Sequence, residues 1–221
     1  MPQPTVKQIV IHCSRVALLV SALAILPVTA RAQSASEAQG FVQTGAQAAI
    51  AIMQDKSPAP DVRRAHMHAF LLSLLDTQRI ASYTLGPAQQ TASQADVAAY
   101  SDAFRDFAVT GYDAMLGSYA GETLRVTGAV QHGPGDFVVT TQVIDPSGVA
   151  NGKSPPEVDF RILEENGKFF IADVNVGGIW LALAERSEVQ GFLKQHNGDM
   201  AALIAHLKEM TATLQQNTPT G

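Results

Sequence analysis

The sequence predicts an α+β domain: helices laid on one face of a curved antiparallel sheet of about four strands, with helices both before and after it. Apolar residues recur at spacings of three and four as far as Leu116, alternate with polar ones from Leu124 to Val176, and return to helical spacing from Leu181. Helices are not interleaved with strands, so the βαβ alternation of a parallel sheet is missing. A tight-turn signal, Asn166-Gly167, sits between the last two strand-like runs.

The first 32 residues read as a leader. Lys7, His12 and Arg15 make a basic start, Val16–Val28 is an apolar run broken only by Ser21 and Pro27, and Ala30-Arg31-Ala32 is a small-x-small cleavage signal. Cutting after Ala32 leaves residues 33–221 as one domain; an uncleaved anchor is the alternative. Of the 15 basic residues, Lys7, Arg15 and Arg31 go with the leader and no acid does, which leaves 12 against 20 acids and a formal charge of −8. Such a balance speaks against nucleic acid or an anionic membrane surface as a partner. Cys13, the single cysteine, also lies in the leader, so the exported chain has neither disulfide nor thiol.

Taken in order, the first helix carries Ala38, Phe41, Val42, Gly45, Ala46, Ala49, Ile52 and Met53 on one face and ends before Ser57-Pro58. Gln33–Gln39 and Gln215–Gly221 are expected to fray. Asp61 caps a second helix with the stripe Met67, Phe70, Leu71, Leu74 and Leu75, which runs on to Leu85-Gly86-Pro87. A third begins after Thr91 or Ser93, with Gln94 or Asp96 as capping-box partner; its face holds Val97, Tyr100, Phe104, Phe107 and Met115, flanked by Tyr112, Leu116 and Tyr119.

The strands then follow. Leu124, Val126, Gly128 and Val130 alternate with Arg125, Thr127, Ala129 and Gln131; His132–Asp136 turns the chain, and Phe137–Ile144 returns. After a polar loop, Asp145–Pro155, come Glu157–Leu163 and Lys168–Val176, the most apolar strand, which ends at a Gly177-Gly178 break. Helices Leu181–Gln195 and one starting after Asp199 finish the chain, separated by Asn197-Gly198.

The run Phe169-Phe170-Ile171-Ala172-Asp173-Val174 into Gly177-Gly178-Ile179-Trp180-Leu181, followed by Arg186-Ser187-Glu188 and Gly198-Asp199 before Leu203-Ile204, resembles the closing signature of the MlaC family. These are periplasmic phospholipid-binding proteins, also called toluene-tolerance auxiliary proteins, with a hopanoid-associated HpnM branch. Asp76, Ile80-Ala81 before Leu85-Gly86, and Phe104 and Tyr112 before Leu116 and Tyr119 agree with it, so the likeness covers nearly all of residues 33–221. Pro87-Ala88 replace an aromatic, Trp180 a small hydroxyl residue and Phe169 a tryptophan, which fits a divergent branch.

The resemblance implies an NTF2-like curved sheet wrapped by helices. It implies a soluble periplasmic carrier, without enzymatic activity, that holds phospholipid or hopanoid and shuttles it between an outer-membrane lipoprotein complex and an inner-membrane ABC transporter complex. On that basis the expected acyl-chain lining is Phe70, Leu74, Phe104, Phe107, Tyr112, Leu116, Val126, Phe160, Val174 and Trp180. Spacing alone fits an ordinary filled core equally well. Arg125 and Arg161 are the candidates for a lipid phosphate, because a guanidinium forks onto phosphate oxygens. Arg186 is expected to pair with an acid such as Asp173.

Other chemistries find less in the sequence. His66 and His68 stand two apart in a helical stripe and point about 200° apart, so they cannot close on one ion. His132, His196 and His206 lack ligand spacing, no Gly-x-Ser-x-Gly or His-Glu-x-x-His occurs, and Gly133-Pro134-Gly135 is a hairpin turn rather than a phosphate loop. An isomerase using a lone carboxylate in an apolar cavity, Asp159 or Asp173, is the alternative from another class. A non-binding envelope adaptor is a third.

Overall fold

The computed structural model describes residues 28–116, 120–146 and 156–217, with side chains from 34 to 216. Tyr119, most of the polar loop after Asp145, residues 218–221 and residues 1–27, with Cys13 and most of the expected leader, lie outside the described residues.

Helix α1 (Val28–Gln54) covers the sheet from its β1 side. The backbone from Val28 to Ala32 is already helical, and so is the Gln33–Gln39 stretch expected to fray. Ala38 explains the difference: it is fully buried among Val42, Phe137, Val139 and Ile162, which fastens that turn to the sheet. The chain's other end behaves similarly, since the last helix continues to Asn217.

The predicted second helix is two. Helix α2 (Pro60–Leu74) stops because Leu75 takes an extended backbone and forms an isolated parallel bridge with Ile171. Asp76 then caps α3 (Thr77–Leu85), its Oδ1 accepting the Arg79 N–H at 3.0 Å. Gly86, at φ +55, ends α3 and opens a 3₁₀ turn through Gln90. Ser93 and Asp96 form the capping box of α4 (Gln94–Leu116): the serine Oγ accepts the Asp96 N–H at 3.1 Å and donates to its carboxylate at 2.7 Å.

The sheet is antiparallel in the order β1 (Thr123–Gly133), β2 (Asp136–Ile144), β3 (Glu157–Glu165), β4 (Lys168–Val176) and β5 (Ile179–Trp180). The short β5 was not foreseen. Gly177 and Gly178, both at positive φ, fold it back onto β4 instead of leading straight into a helix. Two bulges correct the predicted facing. Thr127 is unpaired between Val126 and Gly128, so Ala129 turns inward and Val130 outward, 61% exposed. Ala172 is the extra residue of β4. At Asn166-Gly167 both residues have positive φ, as a primed turn requires.

Helix α5 (Leu181–Gln195) starts under Asp173, whose Oδ1 accepts the N–H of Val174 and of Ala182, each at 2.8 Å. The expected Arg186–Asp173 pair does not form, because the guanidinium is held elsewhere. Arg186 instead donates to the Tyr83 carbonyl and lies 4.8 Å over the Tyr83 ring, tying α5 to α3. Asp199 caps α6 (Met200–Asn217) through the Ala202 N–H at 3.0 Å.

Two apolar clusters result. One joins α3, α4, α5 and α6 around Tyr100, Phe104 and Leu203; the other lies beneath α1 on β2 and β3 around Phe137 and Ile162.

Candidate functional site

Residues of both clusters line a cavity of about 380 Å³ between the helices and the inner face of the sheet. Its floor comes from alternate residues of four strands: Leu124 on β1, Val143 on β2, Val158 and Phe160 on β3, and Ile171, Val174 and Val176 on β4. Alternation puts every second side chain on one face, and the Ala172 bulge shifts the count so that Ile171 and Val174 both point inward. The walls are α1, α2 and the last two turns of α4.

One end is shut by aromatic contacts: Phe169 lies 5.8 Å from Phe41 and 6.2 Å, edge to face, from Phe137. At the other end the strand ends at Leu124, Val143, Val158 and Val176 meet the helix ends at Met53 and Leu116, and there Met115 and Thr123 are exposed. Among the described residues three lining side chains are polar: Tyr112, Glu122 and Thr123. Glu122 accepts the Ala120 N–H at 2.7 Å. Burial pushes the Tyr112 phenol well above its ordinary range, and the nearby Asp173 and Glu185 carboxylates push the same way, so it stays a neutral hydroxyl.

Six of the ten residues expected from the sequence meet here: Phe70, Leu74, Tyr112, Leu116, Phe160 and Val174. Four do not. Phe104 and Phe107 belong to the helical cluster, because the cavity reaches only the end of α4, and at 1.5 Å per residue Phe104 stands roughly 16 Å below Met115. Val126 packs into the sheet cluster beneath α1. Trp180 pairs with Asn175, and cross-strand partners share a face, so it points away from Val174 and Val176.

Neither candidate arginine faces the cavity. Arg125 stands opposite Gln142 and donates to its Oε1 at 2.7 Å, on the side away from Leu124 and Val143. Arg161 alternates with Phe160 and forks onto Asp136 at 2.8 and 3.1 Å. Strand parity, which the sequence does contain, places both outside. The two carboxylates weighed for isomerase chemistry also lie off the cavity: Asp159 alternates with Val158 and Phe160, and Asp173 caps α5.

Sequence reasoning missed the α1 wall. Phe41, Val42, Gly45, Ala46, Ala49 and Met53, which read only as one apolar helix face, all line the cavity, together with Ile50, which stands there where Ile52 was expected. Gly45, Ala46 and Ala49 are short residues, a pattern that fits a close helix approach as well as a hollow one, and a Cβ on Gly45 would already touch Leu74 at 3.4 Å. Among the described residues no group of three His, Cys, Asp or Glu could hold a metal, and no helix is long and apolar enough to cross a membrane.

The family model described as MlaC protein matches residues 43–209, from α1 to the middle of α6. The chain belongs to the MlaC family. A solved structure of the phospholipid-binding protein from Ralstonia solanacearum, in complex with a phospholipid at 1.53 Å resolution, is similar to it in fold: TM-score 0.67 at 18% identity, over 80% of this chain and 98% of that one. Mixed helices flanking an antiparallel sheet are thus the MlaC fold, and the fifth strand is a small addition to the four expected.

Proposed function

We propose that this MlaC-family chain is a periplasmic lipid carrier that holds a phospholipid acyl chain in the cavity between α1, α2, α4 and the sheet. The observation that carries the reading is the cavity itself, which is open at one end and whose lining, among the described residues, is apolar at all but three. Family membership and the phospholipid complex of the Ralstonia solanacearum protein support it. Phe70, Leu74, Tyr112, Leu116, Phe160 and Val174 are the residues assigned to the acyl chain.

At roughly 30 Å³ per water-sized group, the cavity takes about a dozen methylenes. At roughly 0.8 kcal/mol each, those methylenes gain on the order of 10 kcal/mol over water. Tails leaving a bilayer are already dry, so the net gain on extraction is near zero. The carrier therefore matches the membrane, and partners set the direction of transfer. In this reading residues 1–32 export the chain and are removed, residues 33–221 act as one domain, and the partners are an outer-membrane lipoprotein complex and an inner-membrane ABC transporter complex. A hopanoid is the alternative ligand in this reading.

The test is organic extraction of protein purified from a membrane-bearing host, followed by mass spectrometry. The expected result is phospholipid in near-equal amount to protein. Absence of any co-purifying lipid contradicts the proposal.

A further inference from the structure

On helix α2 and at its C-cap, Arg64, His68, Leu71 and Leu75 follow one another at spacings of four, three and four, so they form a single stripe. Leu71 and Leu75 line the cavity. The other two members continue that stripe toward the start of α2, against Asp113, whose neighbours Tyr112 and Met115 on α4 are also lining. The stripe therefore passes from hydrocarbon to nitrogen-bearing side chains along one line, and His68 lies one turn, roughly 5 Å, from the nearest lining leucine.

The cluster is under-satisfied. Arg64 Nε and His68 Nε2 both approach one oxygen of Asp113, Oδ2, at 3.4 and 3.3 Å. Neither distance is that of a closed charge-assisted hydrogen bond, which runs at about 2.7–2.9 Å. Elsewhere the protein does close them: Arg79–Asp76 at 2.8 Å, Arg105–Asp102 at 2.9 Å and Arg161–Asp136 at 2.8 Å. His68 Nε2 is shut off from solvent and has no hydrogen-bond partner. Two donors thus share one acceptor oxygen, and an anion with three oxygens serves them better.

We propose that Arg64 and His68 bind the phosphate of a lipid whose acyl chain lies in the cavity, with Asp113 holding the two side chains in place and yielding to the phosphate. This rests on the carrier reading above and adds the position of the headgroup to it. A free phosphate has the same chemistry, so the test separates the two sources.

Binding of phosphatidic acid and of diacylglycerol with the same acyl chains is measured for the unaltered protein, for the double variant Arg64→Gln/His68→Gln, and for Asp113→Asn. The site predicts that the double variant loses roughly tenfold or more in phosphatidic acid affinity, the scale of a lost charge-assisted hydrogen bond, and keeps its diacylglycerol affinity. Asp113→Asn removes the competing carboxylate and binds phosphatidic acid more tightly. Equal loss of both lipids together with a lower melting temperature, or unchanged phosphatidic acid binding, overturns the headgroup site and leaves the carrier reading standing. Failure of the unaltered protein to bind either lipid overturns both. Inorganic phosphate is titrated separately; binding as tight as that of phosphatidic acid, lost in the double variant, assigns the site to free phosphate and overturns its lipid assignment.

Discussion

Leu75 and Ile171 join the end of α2 to the middle of β4 by a single parallel bridge, and the Asp76 N–H donates to the Ile171 carbonyl at 3.3 Å. Both side chains line the cavity, so this junction sets the distance between its α2 wall and its floor. Asp76 secures it by capping α3 and by pairing with Arg79, which also reaches Glu165 beside the β3–β4 turn. Asp76→Ala is expected to cost about 1 kcal/mol, the usual loss of an N-cap, read by urea denaturation.

Ala46 and Phe137 separate cavity from core. Ala46 lines the cavity, whereas Phe137 is fully buried in the sheet cluster. Ala46→Trp is expected to fill the space: melting temperature holds or rises while lipid binding falls more than tenfold. Phe137→Ala is expected to lose about 3–5 kcal/mol of stability, as truncation of a buried phenylalanine does. A stability loss of about 1–3 kcal/mol in Ala46→Trp, as overpacking brings, means that the region was already filled.

What the sequence made legible follows from the kind of force involved. Periodicity located four strands and every α-helix but α3, which it merged with α2, because burial acts on whole faces. Lys168–Val176 and Leu181–Gln195 agree with the structure to the residue. It missed the α2–α3 break, since Leu75 continues the apolar stripe and only its long-range bridge to Ile171 interrupts the helix. Bulges at Thr127 and Ala172 escaped for the same reason: each is set by a partner strand. Among the lining residues, Phe160 and Val174 followed from strand parity, while Phe104 and Phe107 did not, because an apolar face says nothing about how far along the helix a cavity extends. The α1 wall escaped as well, because short residues such as Gly45, Ala46 and Ala49 suit a close helix approach as readily as a hollow one.

Glu185 gives a pH prediction. Burial raises its carboxyl above the ordinary value of 4.5, and Glu188 adds to the effect. The folded protein therefore holds this proton more tightly than the unfolded chain does. Its stabilising effect is fully present below pH 4.5 and is lost as pH rises through the raised folded value. Glu185→Gln is expected to be more stable than the unaltered protein at pH 7 and to converge with it toward pH 4, measured by thermal melts across that range. A constant difference at all pH values contradicts the assignment.

Gly86 and Arg186 form a tight joint. Gly86 has φ +55, and a Cβ there would stand 2.9 Å from Arg186 Nη2. Gly86→Ala is expected to cost roughly 1–3 kcal/mol from the backbone alone. Adding Arg186→Ala removes the contact and not the backbone strain, so a double-mutant cycle by chemical denaturation should show partial recovery. Full additivity contradicts a contact between the two.

The most direct measurement of where the acyl chain lies is photo-crosslinking with a phospholipid that carries a diazirine at the end of one chain, mapped by peptide mass spectrometry. The account predicts adducts on the cavity residues Phe41, Ala46, Leu74 and Val174. Adducts confined to exposed apolar residues such as Val130, Ile179 and Leu183 contradict it.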